Sequence, residues 1–264
     1  MRVLTEITSR VGTKFSTNPL YAKFDTTTVV VKSINNPESF YALFNETLGY
    51  FLAENLDIPV PEFGFAKFVE GETKNRITDD VIFDNGEFFT FTKMENSIVQ
   101  VDNPALVDTI NDNDIIKLII FDVFISNTDR NKGNLLLKMP KKGKNASLFP
   151  IDYTHIFPGE CLWFDVLSKP LPSIDKIVED VFTVGGHQKL IENRVFSNNV
   201  VEQTANEFKI NLLNIDIDGI INSIPENLRK KHNESDIQNL KSYLNRNKEY
   251  LDDIITEMKK YLVR

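Results

Sequence analysis

The chain has 264 residues, 41% hydrophobic and 26% charged, with twenty Phe, one Cys and a formal net charge of −8. That length admits one large domain or two lobes sharing a cleft, with enough apolar residues for a sizeable, largely aromatic core. The acidic balance argues against a nucleic-acid or anionic-membrane partner, and a lone Cys161 excludes an internal disulfide and suits a reducing compartment.

Met1-Arg2-Val3-Leu4 leads into polar residues rather than an apolar signal region, and no run is long enough to span a bilayer. A soluble, cytoplasmic protein is expected, and the abundance of Asn, Ile and Lys suits a low-GC bacterial source. Val3 to Ile7 and Leu20 to Phe24 predict short strands around a loop, Thr8 to Pro19. Thr26-Thr27-Thr28-Val29-Val30-Val31-Lys32 is a β-branched run and predicts a strand. Asn36-Pro37 supplies an N-cap with Pro at the first helical position. The helix should run to about Asn55, with Phe40, Phe44, Leu48, Phe51 and Leu52 on one face. Glu46 falls among Ala42, Leu43, Gly49, Tyr50 and Ala53 on the other side. A carboxylate between two largely apolar faces is costly unless a cation meets it. Ile58-Pro59-Val60-Pro61 is extended, and strands are expected at Glu62 to Val69 and Glu87 to Lys93. Strand-rich with one helix, residues 1–96 read as a small lobe. Helical patterns dominate 97–264, ending in an amphipathic stretch from Asp236 to Arg264.

One hairpin interrupts that helical part. Ile115 to Ile125 is apolar nearly all round, with Asp112 and Asn113 as cap candidates, and predicts a helix buried on most sides. A polar loop, Asn127 to Asn134, follows it. Leu135-Leu136-Leu137 then predicts a strand, Lys141-Lys142-Gly143-Lys144 a turn, and Ser147 to Ile151 a second strand ending at Asp152. The basic run Lys138 to Lys144 reads as a solvated loop. Asp129, Asn134 and Asp152 therefore converge at element ends. Phosphoryl transfer needs such a set: one Asp orients the attacking hydroxyl and accepts its proton, while an Asn and a second Asp hold Mg²⁺ or Mn²⁺ on the nucleotide phosphates. Spacing alone is weak, since Asp-x4-Asn arises at roughly one position in 400 by average residue usage. Asn and Asp also favour turns for their own reasons. The order helix, Asp-Arg-x3-Asn, strand, turn, strand, Ile-Asp is far more specific.

Asn127-Thr128-Asp129-Arg130-x3-Asn134, followed by Phe149-Pro150-Ile151-Asp152-Tyr153, resembles the catalytic and metal segments of HipA-like kinases. Phosphoinositide kinases use a similar loop, and both belong to the wider protein-kinase-like fold. The His-Arg-Asp and Asp-Phe-Gly words of eukaryotic kinases are missing: Thr128 precedes Asp129, and Tyr153-Thr154 follows Asp152. Glu46 with Ile58-Pro59-Val60-Pro61, Ile224-Pro225-Glu226 and Tyr243-Leu244-Asn245-Arg246 resemble the shorter, single-chain HipA-like proteins. The resemblance implies an α+β, bilobal fold with a small strand-rich N-lobe and a larger, mostly helical C-lobe. It makes Lys32 the cation on the nucleotide phosphates, by analogy with the Val-Ala-Ile-Lys strand of kinases, and gives Glu46 its partner. The loop holding Gly12, Thr13 and Lys14 would cradle phosphate through backbone N–H groups and hydroxyls. It has one glycine, and ordinary turn chemistry explains it equally well. Adenine would meet the backbone near Met94.

The expected function is ATP- and Mg²⁺-dependent transfer of a γ-phosphate to a Ser or Thr of a protein, with Asp129, Lys32 and Glu46 catalytic. A lipid or small-molecule kinase is an alternative, as is a pseudokinase acting as a binding module. HipA toxins carry an extra N-terminal subdomain and pair with a DNA-binding antitoxin. The chain leaves no room for that subdomain, so neither toxin function nor an antitoxin is expected. Of the remaining residues, Arg130 should brace the loop and Asp122 should bond the loop backbone. His155 reads as structural, Trp163 and Cys161 as core, and Gly185-Gly186-His187 as a turn without chemistry.

Overall fold

The computed structural model describes residues 1–12, 16–77, 81–101, 104–131, 133–139 and 146–263. Short alternating and β-branched runs make seven strands: β1 (Arg2–Val3), β2 (Glu6–Arg10), β3 (Leu20–Phe24), β4 (Thr27–Ser33), β5 (Phe63–Lys67), β6 (Lys74–Asn75) and β7 (Phe88–Lys93). They form one sheet in the order β1-β5-β7-β4-β3-β2-β6. Its interior pairings are antiparallel, and the edge strands β1 and β6 pair in parallel with β5 and β2. The two-residue period of a strand divides its side chains between two faces. Val29 and Val31 join Leu20, Ala22, Ala66, Phe89 and Phe91 in one core on one face. Lys32 and its register partner Thr90 turn to the other face, toward the helix α1 (Ser39–Asn55).

That helix starts later than Asn36-Pro37 predicts, because Asn36 caps a turn instead. Its Oδ1 accepts from the Glu38 N–H at 2.8 Å and its Nδ2 donates to the Ser33 carbonyl at 2.5 Å. Ser39 enters the helix with a positive φ of 57°. Further along α1, Gly49 makes room for Tyr153, whose Cβ a side chain there would strike.

A second sheet, in the order β10-β9-β8, is built from β8 (Ile98–Gln100), β9 (Leu135–Lys138) and β10 (Ser147–Pro150), all antiparallel. The lysine turn between β9 and β10 lies outside the described residues, as do Thr13 and Lys14. Helices α2 (Pro104–Val107) and α3 (Asp112–Phe124) precede β9. The rest is helical: α4 (Trp163–Leu167), α5 (Ile174–Val184), α6 (Gln188–Ile191), α7 (Asn198–Asn214), α8 (Ile217–Ser223), α9 (Glu226–Arg229), α10 (Glu234–Glu249) and α11 (Leu251–Leu262). The amphipathic stretch from Asp236 is thus two helices, the first opened by a capping box between Asn233 and Asp236. At the centre lies α3, packed against α5, α7, α10 and α11. Its Ile115, Ile119, Ile120, Phe121, Val123 and Phe124 are fully buried, and each such side chain contributes about 1.5–3 kcal/mol. A strand-rich first part and a helical second part make the α+β architecture that the sequence implies. No helix among the described residues is long and apolar enough to cross a membrane.

An aromatic cluster joins α1 to α4. His232 stacks on Trp163 with ring centroids 4.8 Å apart and lies 4.4 Å from the Phe44 ring. Both its ring nitrogens are buried without a hydrogen-bond partner, and burial pushes its pKa down to about 4. As pH falls below about 6.5, the unfolded chain takes up a proton that the fold refuses until about pH 4. Stability should therefore drop across that window, by up to about 3 kcal/mol. His232→Phe keeps the ring and removes the titration. Melting temperatures between pH 7 and 4 should fall less steeply in this variant, and parallel slopes would show that His232 titrates normally.

Candidate active site

The loop after α3 is built on a buried ion pair. Asp122 and Arg130 have fully buried side chains, an arrangement that is costly unless every donor and acceptor is met. Here the Asp122 carboxylate accepts from Arg130 Nε and Nη2 at 3.0 Å each, from Asn127 Nδ2 at 2.9 Å and from His187 Nε2 at 2.8 Å. Arg130 Nη1 donates to the carbonyls of Asn134 (2.9 Å) and Ile151 (2.8 Å). Burial alone would raise the Asp122 pKa, but the guanidinium first and His187 second hold it at about 2. Arg130 thus braces the loop, as its sequence context suggests. The carboxylate of Asp122, expected to bond loop backbone, bonds side chains instead; its own carbonyl takes the Asn127 N–H at 2.7 Å. The Gly185-Gly186-His187 turn, which the sequence leaves without a role, closes this network. Gly186 donates its N–H to the Arg130 carbonyl, and a Cβ at that position would overlap the same oxygen.

So anchored, the loop presents Asp129 with its side chain 37% exposed. Asn134 Nδ2 donates to the Asp129 carbonyl at 3.0 Å and reaches Oδ2 at 3.3 Å. The pairing of β9 with β10 then brings Asp152 alongside, through Ile151 N–H donating to the Asn134 carbonyl at 3.0 Å. Asp152 has a φ of 60°, a left-handed conformation that costs a non-glycine residue about 1–3 kcal/mol. Its Oδ1 accepts from the Thr154 hydroxyl at 2.7 Å and from Lys32 Nζ at 3.0 Å. Burial opposes the charge of Asp152, while Lys32 and Thr154 hold its pKa at about 2.

Lys32 is the bridge between the sheet and the hairpin. Its Nζ donates to Glu46 Oε1 at 2.6 Å as well as to Asp152, and Thr90 Oγ1 donates to Glu46 Oε2 at 3.0 Å. Burial disfavours the ammonium, but the two carboxylates overcome that and raise its pKa. Glu46 is itself pushed up by burial, only partly offset by Lys32. The cation that the α1 pattern demands for Glu46 is therefore Lys32. Five predicted residues (Lys32, Glu46, Asp129, Asn134 and Asp152) thus meet in two linked groups. Met94 stands apart at the end of β7, 45% exposed, with its N–H donating to the Thr28 carbonyl at 3.1 Å. Gly12 precedes the residues left undescribed, where Thr13 and Lys14 lie.

His155, expected to be structural only, lies against Asp129. Its Nδ1 is 3.4 Å from Asp129 Oδ2 and its Nε2 is 2.9 Å from Glu38 Oε1. Asp129 first, then Cys161 and Glu38, push its pKa up to about 12. The spacing of three from Asp152 carried no signal for this contact, which depends on how the chain turns after β10.

A family model described as HipA-like kinase matches residues 4–162. Among solved structures, the chain is similar to the Helicobacter pylori proinflammatory kinase CtkA, with a TM-score of 0.51 and 16% identity, covering 97% of this chain and 99% of that chain. It also matches WaaP in complex with acyl carrier protein, with a TM-score of 0.38 and 12% identity, over 78% of this chain and 89% of that one. No curated protein matches. At such identity the CtkA likeness speaks for the fold, which is the two-part α+β arrangement described above. Because the family model spans more than half of its length, through Lys32, Glu46, Asp129, Asn134 and Asp152, the chain belongs to the HipA-like kinase family.

Proposed function

We propose that this kinase transfers the γ-phosphate of ATP to the hydroxyl of a Ser or Thr in a protein acceptor, with Mg²⁺ or Mn²⁺ as cofactor. The observation that carries the reading is that Lys32 holds Glu46 on one side and Asp152 on the other, next to the Asp129–Asn134 pair. Lys32 is the group that would meet the nucleotide phosphates, kept charged and aimed by Glu46. Asp129 would orient the acceptor hydroxyl and accept its proton as the new oxygen–phosphorus bond forms. The bond from the γ-phosphorus to the β-bridging oxygen breaks, and ADP leaves with that electron pair.

The donor set fits a hard divalent cation. Asn134 directs its Nδ2 to Asp129, which leaves Oδ1 as a ligand, and Asp152 adds a carboxylate held ionised; oxygen ligands of this kind suit Mg²⁺ or Mn²⁺. Asn134 and Asp152 would hold the ion, which would supply positive charge to offset the negative charge of the nucleotide. Gly12, with Thr13 and Lys14 beyond the described residues, would contribute the phosphate loop, and Met94 would lie at the adenine. On this reading the nucleotide would lie where Lys32 of the sheet meets Asp152 after the hairpin.

A protein acceptor is favoured by a cavity of about 410 Å³ beside the catalytic loop, lined by Ser126, Thr128, Phe157, Pro158, Pro172 and Val184 among others. Its mixed walls would take residues flanking an acceptor hydroxyl. The acidic net charge speaks against a lipid surface as the acceptor.

Asp129→Asn keeps size and hydrogen bonding but removes the base. Phosphate transfer from labelled ATP should collapse while nucleotide binding survives; an unimpaired rate would discard the assignment. Asp152 can be tested through metal dependence of folding stability. Ligand at about 100 times its Kd stabilises by roughly 2.7 kcal/mol, which should raise the melting temperature by several degrees. ATP with Mg²⁺ should give that shift, ATP with a chelator much less, and Asp152→Asn should abolish the difference. Equal shifts in all four conditions would remove Asp152 from metal binding. Gly186→Ala forces the Arg130 carbonyl, and the loop with it, to move. A misplacement on the order of 1 Å costs about 100-fold in rate, so kcat should fall at least tenfold with ATP binding kept. Wild-type kcat in this variant would show that the turn does not set the loop.

A further inference from the structure

A cluster at the start of α1 has no part in the phosphate chemistry above. Glu38, the residue preceding α1, meets His155 and Cys161 from the segment that follows Asp152. One ligand atom from each lies within 4.8 Å of the others. His155 Nε2 is 2.9 Å from Glu38 Oε1, and Cys161 Sγ is 3.9 Å from Glu38 Oε2. The side chains of Glu38 and His155 are 23% and 20% exposed, so an ion can reach them from solvent.

Hydrogen-bond arithmetic at His155 shows what the cluster needs. A neutral imidazole donates from one nitrogen only. Yet both ring nitrogens face carboxylates, Asp129 at Nδ1 and Glu38 at Nε2. One of the two nitrogens must therefore carry a positive charge, which is either an extra proton or a metal ion. Cys161 tilts the choice. Its thiol makes long contacts to the Thr154 carbonyl at 3.6 Å and to Glu38 and also meets the His155 ring, and a thiolate beside an imidazole and a carboxylate is a zinc donor set. In a tetrahedral zinc site these ligand atoms stand about 3.3–3.6 Å apart, so the observed spacing needs only small side-chain shifts. The outer contact also fits. Metal-bound histidines commonly donate their other N–H to a carboxylate, and Asp129 occupies that place.

We propose that Glu38, His155 and Cys161 form a three-ligand site for Zn²⁺, with a fourth position open to solvent or an exogenous ligand. Binding expels the protons on the thiol and on Nε2 to solvent. The ion ties the start of α1 to the segment after Asp152, and it holds His155 against Asp129. The site stands on its own donors and does not depend on the role given to Asp129.

Cobalt(II) added to the metal-stripped full chain gives a direct test, because a cobalt–thiolate bond absorbs in the near-ultraviolet and four-coordinate cobalt absorbs strongly in the visible. One equivalent should saturate both bands, and Zn²⁺ should displace them. Cys161→Ser should lose the near-ultraviolet band, and His155→Gln should weaken cobalt binding at least tenfold, each with unchanged circular dichroism. Asp152→Asn should bind cobalt here as the wild type does, which separates this site from the nucleotide metal. No charge-transfer band at stoichiometric cobalt, or a band as strong and as tight in His155→Gln, would overturn the proposal and leave a protonated His155 between two carboxylates.

Discussion

The structure depends on the buried ion pair between Asp122 and Arg130. Neither group touches water, so their mutual attraction has to offset several kcal/mol of desolvation for each ion. It can do so only because the network is complete: four donors on the carboxylate, and two carbonyls on the remaining guanidinium nitrogen. Those partners come from α3, the loop between it and β9, Ile151 just after β10 and the turn after α5. One pair of charges thereby fixes the relative positions of four chain segments. Loss of either partner would strand a buried charge, at a cost of about 3–5 kcal/mol.

A second ionic centre carries this order across to the sheet. Lys32 sits on β4 and is held by Glu46 from α1 and by Asp152 from the hairpin. Asp152 follows Ile151, whose carbonyl Arg130 holds, so the two networks meet within two residues. The left-handed backbone at Asp152 is the strain that this junction tolerates. It turns the carboxylate off the strand direction and toward Lys32 and Thr154.

How much of this was legible in the sequence follows from whether each cause is local. The strands β3, β4 and β7 and the helix α3 were visible because β-branched runs and an all-round apolar helix are patterns within a few residues. Glu46 could be matched to Lys32 because a carboxylate on a buried face demands a cation and the preceding strand ends in one. Arg130 could be read as a brace from its place in the loop. His187 could not: its partner Asp122 lies 65 residues away, and a Gly-Gly-His turn looks alike wherever it packs. The contact of His155 with Asp129 is hidden in the same way, since it needs the turn after β10. The start of α1 misled for another reason: Asn36-Pro37 satisfies the capping pattern, but the Asn36 side chain meets the turn that precedes the helix.

The charge balance around Asp129 has a consequence for what can enter. Lys32 and one positive charge at His155, either a proton or Zn²⁺ net of the Cys161 thiolate, stand against Glu38, Glu46, Asp129 and Asp152. Two positive charges facing four negative ones leave the region acidic within a few ångströms, on a chain already at −8. Burial of Glu46, which raises its pKa, softens this without reversing it. A polyphosphate approaching alone would meet net repulsion, whereas the same polyphosphate neutralised by a divalent cation would not. On the proposed assignment, with the cation going to Asp152 and Asn134 and the phosphate to Lys32, electrostatics favours entry of nucleotide and metal together. The lysine is kept charged by the carboxylates that make the site acidic, so one arrangement serves both needs.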